Sequence, residues 1–183
     1  MEKKIQVKIQ PLEAKAFEPY GSVVEDDTLG YPATELGRVG LERLRVKYRP
    51  GADLVDQLAI HFTYNQTFIP VRGSMVLIVA PPPTNREEGE KNGPDAYELN
   101  YDQVGAFSMA PGQIAFIEQG TWHNIMTLEP VCQFVNVTRK NEGEGISPAE
   151  ELEGKIEAAN AVRDYVEFVD VRKRDNCVIQ LSI

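Results

Sequence analysis

The amino-acid sequence predicts a mainly β domain, a sandwich or barrel, followed by one helix and further strands at the C-terminal end. Short apolar or β-branched runs recur at roughly 8–12-residue spacing, which is the rhythm of stacked antiparallel strands. Turn-forming Gly and Pro separate these runs. One stretch alone carries a helical repeat with a start signal in front of it.

Ile5 to Ile9 (IQVKI) alternates apolar and polar residues, as a half-buried strand does, and Arg43 to Tyr48 (RLRVKY) does the same. Thr67 to Val71 and Ser74 to Ala80 are apolar strands separated by a turn at Arg72-Gly73. Arg86 to Gly93 (REEGEKNG) is charged and contains Gly, which predicts an exposed loop with no core to join. Ala96 to Leu99, Val104 to Met109, Ile114 to Ile117 and Val131 to Val137 follow as strands, with Pro111-Gly112 as a turn. Ser147-Pro148-Ala149-Glu150 then places Ser at an N-cap, Pro at the first helical position and Glu at the third. Leu152, Ile156, Ala159 and Val162 continue that helix to about Tyr165. Val166 to Val171 and Val178 to Leu181 read as terminal strands. The whole chain, 1–183, reads as one domain: a barrel over about 5–140, then helix and strands over 147–183.

Composition narrows the function. The 183 residues carry 28 Asp plus Glu against 19 Lys plus Arg, a formal charge of -9, so no nucleic-acid or anionic-membrane partner is expected. Cys132 and Cys177 are too few for a disulfide framework or a Cys-rich zinc module. The N-terminal stretch has no apolar signal region, and Met75 to Ala80 is far too short to span a membrane. A cytoplasmic protein with reduced thiols is expected. His61 and His123 are the only histidines, so any imidazole chemistry uses one or both.

Both histidines stand in informative surroundings. Gly112 is followed by five residues, Glu118, and then Gln119-Gly120-Thr121-Trp122-His123. This spacing resembles the second cupin motif, in which a Gly turn reverses the chain and the next strand aims its His into the barrel mouth. Glu118 stands where that motif has proline. His61 opens a run through Thr63 to Gln66, and six residues separate Gln66 from Gly73, an order similar to the first cupin motif with Thr63 and Gln66 at its second His and Glu positions.

The chain further resembles the ureidoglycolate lyase family of allantoin breakdown over residues of about 10 to 140. Ala16-Phe17-x-Pro19-Tyr20-Gly21, then His61 through Gln66-Thr67-Phe68-Ile69-Pro70, carry that resemblance. Gly73-x-x-x-Leu77-Ile78-Val79-Ala80 and Gly120-Thr121-Trp122-His123 complete it. It implies a cupin double-stranded β-helix (a jelly-roll barrel), a homodimer, and a carbon–nitrogen lyase that splits ureidoglycolate into urea and glyoxylate. The family's Glu-Arg-His, Trp-His-His and Asp-Arg are here Ala59-Ile60-His61, Trp122-His123-Asn124 and Thr138-Arg139.

Elimination of urea from a hemiaminal carbon needs a base for the hydroxyl proton and an acid for the leaving nitrogen. His123 and His61 are the candidate bases, with Glu118 as an acid partner if its side chain faces inward. Arg72 and Arg139 are candidates to fork the carboxylate of a small anionic substrate. Gln66 and Asn124 offer donors and acceptors to a ureido group. Trp122 is expected to pack on the barrel. No cofactor is certain; a divalent metal ion, if bound, would use His61 and His123 with Glu118. Two alternatives stay open: a diverged cupin enzyme acting on another small carboxylate, and a cupin that binds a small molecule without turning it over.

Overall fold

A computed structural model describes residues 2–140, 151–152 and 167–183. Eight strands between Arg38 and Lys140 form two facing four-stranded layers. β3 (Arg38–Lys47), β11 (Val131–Lys140), β6 (Gln66–Arg72) and β9 (Ala115–Ile117) neighbour one another in that order. Opposite them run β5 (Gln57–Ile60), β10 (Trp122–Met126), β7 (Met75–Ala80) and β8 (Gly105–Met109). Taking those eight strands in chain order, the first, eighth, third and sixth share one layer; the second, seventh, fourth and fifth share the other. That is the strand order of a jelly roll, a mainly β cupin-type barrel.

Each layer is extended. β2 (Gly21–Val23) pairs with β9, and β12 (Glu151–Leu152) runs parallel to β3. β1 (Lys3–Pro11), β14 (Cys177–Ser182) and β4 (Leu54–Val55) continue the larger sheet beyond β8, and β13 (Glu167–Asp170) continues it beyond β5. The first strand of the chain thus lies outside the eight that close the barrel. β1 is parallel to both β14 and β8, so the two ends of the described chain are tied together along its length.

The larger sheet separates two cores, which explains why all six residues of β7 are buried. Met75, Leu77 and Val79 face the barrel interior with Phe107, Ile117 and Phe134, while Val76, Ile78 and Ala80 face a second core with Leu58, Trp122, Val169 and Ile179. Alternation along one strand therefore serves two interiors at once. Trp122 belongs to the second: its ring meets Tyr97 edge-on at 6.3 Å, the Arg174 guanidinium lies 5.9 Å from it, and Nε1 donates to the Glu98 carbonyl at 3.2 Å. Trp122→Ala is expected to lower stability by about 3–5 kcal/mol, read from denaturant midpoints, because no neighbour can refill so large a space.

Three sequence expectations change. Arg86–Asn92 is a helix, not a loop. Arg86 and Glu90 pair at 2.7 Å one turn apart. The helix is anchored by its least conspicuous residue: Gly89 lies so close to Tyr97 that a Cβ would sit 1.9 Å from the ring. Ala96–Leu99 is not a strand; a single 3-10 turn at Pro94–Ala96 leads Tyr97 and Leu99 into the second core instead. Of the helix expected from Ser147, Glu151 and Leu152 pair in β12 with Arg45 and Val46, and the rest lies outside the described residues. Among the described residues, no helix is long and apolar enough to cross a membrane.

Candidate functional site

The two histidines meet inside the barrel. Leu58 and Ile60 of β5 face the second core, so Ala59 and His61 face the barrel interior. On β10 the same alternation buries Trp122 behind the sheet and turns His123 inward, in register with Ala59 of β5 and Val79 of β7. The rings stand 4.9 Å apart between centroids, steeply inclined at 69°. Both are almost fully buried, His61 at 2% exposure and His123 at 6%. Gly120 couples the two motifs: its N–H donates to the His61 carbonyl at 2.7 Å. It adopts a φ of 78°, and a Cβ there would lie 2.8 Å from the Phe62 ring.

Hydrogen bonds assign different roles to the two rings. Nδ1 of His123 lies 2.9 Å from the Thr121 carbonyl, which can only accept. Nδ1 therefore carries the hydrogen, and Nε2 of the neutral ring presents a lone pair. Burial pushes His123 down to about 4, so the ring is neutral at physiological pH. His61 is held on both sides: Nδ1 lies 3.0 Å from the Tyr64 carbonyl and Nε2 lies 2.8 Å from Gln66 Oε1. Its ring stacks on Tyr64 with centroids 3.7 Å apart. Burial, and then repulsion from His123, pull His61 down to about 3 against those two hydrogen bonds.

Gln66 joins this cluster, but not as a free ureido ligand. Its Oε1 meets His61, and its Nε2 donates to Asn136 Oδ1 at 2.7 Å. Asn136 Nδ2 donates in turn to Glu42 Oε2 at 3.2 Å. Asn136 and Glu42 are direct partners across β11 and β3, and both face inward with Phe134, Leu44 and Val46. Neither was expected. Their signal was a polar residue at an in-facing position of an otherwise apolar strand face, legible only once the strand bounds are known. Thr138 shares that inward face, and its buried hydroxyl has no hydrogen-bond partner among the described residues.

The remaining expected site residues lie elsewhere. Arg72 is exposed at the far end of β6, six residues and roughly 20 Å of strand from Gln66. Asn124 follows His123 and points to the opposite face of β10, where Nδ2 donates to the Gln57 carbonyl at 2.7 Å. Glu118 follows the inward Ile117 and is exposed; its backbone N–H donates to the Tyr20 carbonyl at 3.1 Å. One-residue alternation is the common reason for the last two. Arg139 is buried and donates from Nη1 to the Thr63 hydroxyl at 3.1 Å, two residues from His61. Phe168 on β13 pairs with Ala59, placing it on the same sheet face as His123, and it remains 37% exposed. A separate surface cleft between Val23–Thr28 and Gly112–Ile114 carries Glu25, Asp26 and Asp27, whose charge opposes a small carboxylate.

A divalent ion does not fit this pair of rings. Both nitrogens of His61 already face protein oxygens, and Nδ1 of His123 is committed to Thr121. That leaves His123 Nε2 as the one imidazole nitrogen lone pair that does not face a protein oxygen, and a single imidazole is a weak hold on a transition metal. Among the described residues, no group of three His, Cys, Asp or Glu side chains gathers to hold a metal.

A jelly-roll barrel with two imidazoles at its interior is the cupin arrangement, and comparison with known proteins gives the family. The family model for ureidoglycolate lyase matches residues 45–154, and the chain belongs to that family. It is 33% identical to the "Putative ureidoglycolate lyase" of Agrobacterium fabrum over 138 residues, covering 70% of this chain and 79% of that one. It is 31% identical to "Ureidoglycolate lyase 2" of Rhizobium meliloti over 158 residues, covering 76% and 89%. Similar solved structures include a cupin-2 domain containing protein of Shewanella frigidimarina (12% identity, 62% of this chain and 84% of that one, TM-score 0.34). A dTDP sugar isomerase of Desulfovibrio desulfuricans is another (12% identity, 76% and 80%, TM-score 0.38).

Proposed function

We propose that this protein is a carbon–nitrogen lyase that releases urea from ureidoglycolate and leaves glyoxylate. The observation that carries the reading is His123: neutral, fixed as the Nδ1–H tautomer, with its Nε2 lone pair inside the barrel. Nε2 takes the hemiaminal hydroxyl proton as the oxygen's electron pair forms the C=O bond. The C–N bond breaks, its electrons stay on nitrogen, and the proton now on Nε2 passes to that nitrogen to give urea. One imidazole thus serves first as base and then as acid, since both nitrogens of His61 face protein oxygens and Glu118 is turned away. The Thr138 hydroxyl supplies a hydrogen bond to a bound polar group, and Arg139 supplies positive charge beside the His61 loop. Local positive charge is needed because the net charge of -9 opposes an anionic substrate. The test is an incubation of purified protein with ureidoglycolate. Urea and glyoxylate should appear in equal amounts, well above the uncatalysed rate; binding of ureidoglycolate without release of either product would overturn the lyase reading.

A further inference from the structure

Two acceptors compete for the hydrogen of the neutral His61 ring. The Tyr64 carbonyl faces Nδ1 at 3.0 Å, and Gln66 Oε1 faces Nε2 at 2.8 Å. A backbone carbonyl cannot become a donor, whereas a side-chain amide can, by turning over so that its NH2 replaces its oxygen. If Gln66 turned over, its NH2 would donate to Nε2 and the ring hydrogen would sit on Nδ1, bonded to Tyr64. The conflict at His61 would vanish.

The next links forbid that. With Gln66 turned, its oxygen would face Asn136, which would have to turn as well and offer its own NH2. Asn136 would then aim its oxygen at Glu42 Oε2, now 3.2 Å from its Nδ2. A carboxylate only accepts, and an oxygen held against it is costlier than two neutral lone pairs in contact, because one partner carries full charge. The chain therefore has one favourable direction. Glu42 receives from Asn136, Asn136 from Gln66, and Gln66 from Nε2 of His61.

We propose that Glu42 is a positioning residue that fixes a hydrogen on Nε2 of His61 through the amides of Asn136 and Gln66. Its charge never touches the ring; direction alone is transmitted, and hydrogen bonds aligned in this way polarise one another. The groups facing His61 are the His123 ring, the stacked Tyr64 ring and Gln66, with Arg139 reached through Thr63. The consequence is a division of labour. With Nε2 of His61 protonated and directed at Gln66, His123 Nε2 is the only imidazole lone pair directed at a substrate. That catalytic consequence rests on the lyase reading; the hydrogen assignment itself does not.

Long-range proton–nitrogen correlation spectra of protein labelled with 15N-histidine test the assignment near neutral pH without any substrate, so their outcome is independent of lyase activity. In the wild type, Nε2 of His61 should read as protonated. In E42Q the glutamine can donate to a turned Asn136, so both amides are free to reverse. The ring hydrogen should then move to Nδ1, changing the ratio of the two tautomers by about tenfold, as expected when a charge-assisted bond gives way to a neutral one. Moving the carboxylate one link inward, in E42Q/N136D, should restore the hydrogen to Nε2, a rescue that a merely structural role for Glu42 does not provide. A bare Nε2 in the wild type overturns the proposal even if E42Q does not fold. So does a ring unchanged by E42Q, or a double variant that fails to restore it.

Discussion

Replacing His123 with alanine is expected to lower urea release from ureidoglycolate by about 10²–10⁴-fold, the usual contribution of a positioned acid–base group. The side chain removed is the only one whose imidazole lone pair is directed at a substrate, so no neighbour takes over. The pH profile gives a sharper signature. In the free protein, burial holds His123 at about 4, so the ring keeps its lone pair through neutrality. The acid limb of kcat/KM, which reports the free enzyme, should fall near pH 4 rather than at the ordinary histidine value of about 6.5. A bound substrate carboxylate favours the imidazolium, so the acid limb of kcat should lie at higher pH than that of kcat/KM. Initial rates across pH check both limbs. A kcat/KM limb near 6.5, or activity retained in H123A, would remove His123 from the role of base.

Strand runs and histidine spacing were enough to anticipate the barrel and the meeting of His61 with His123. Spacing works here because each histidine sits beside a turn that decides which strand follows it, and Gly120 bonds the second turn to the first motif. The same reading misplaced Glu118 and Asn124 because proximity in sequence is not proximity on a strand. Each lies one residue from an inward position, and one residue is a change of face. Arg72 failed differently, since β6 starts at the site and ends across the barrel. Glu42 and Asn136 were invisible to motif spacing because they act through register between β3 and β11, segments about ninety residues apart. Gly89 shows the limit of composition: a charged segment held by the absence of a side chain against Tyr97 looks like a loop.

Acid should unfold this protein through its histidines. Folding lowers His61 to about 3 and His123 to about 4, whereas the unfolded chain holds both near 6.5. Between these values the unfolded state binds more protons, so stability is complete above about pH 6.5 and is lost as pH falls toward 4. Each ring contributes a slope of about 1.4 kcal/mol per pH unit across that window. Two rings over two units give a loss of roughly 5 kcal/mol, comparable with the whole stability of many domains. Denaturant titrations near pH 7 and near pH 4.5 measure the loss. The H61Q/H123Q double variant separates the histidines from carboxylates that also titrate at the acid end, because glutamine has no charge to acquire on unfolding. Its stability should fall much less than the wild type's over the same interval. Equal losses in the two proteins would mean that the buried imidazoles are not what acid attacks, and that the proton binding on unfolding lies with the carboxylates instead.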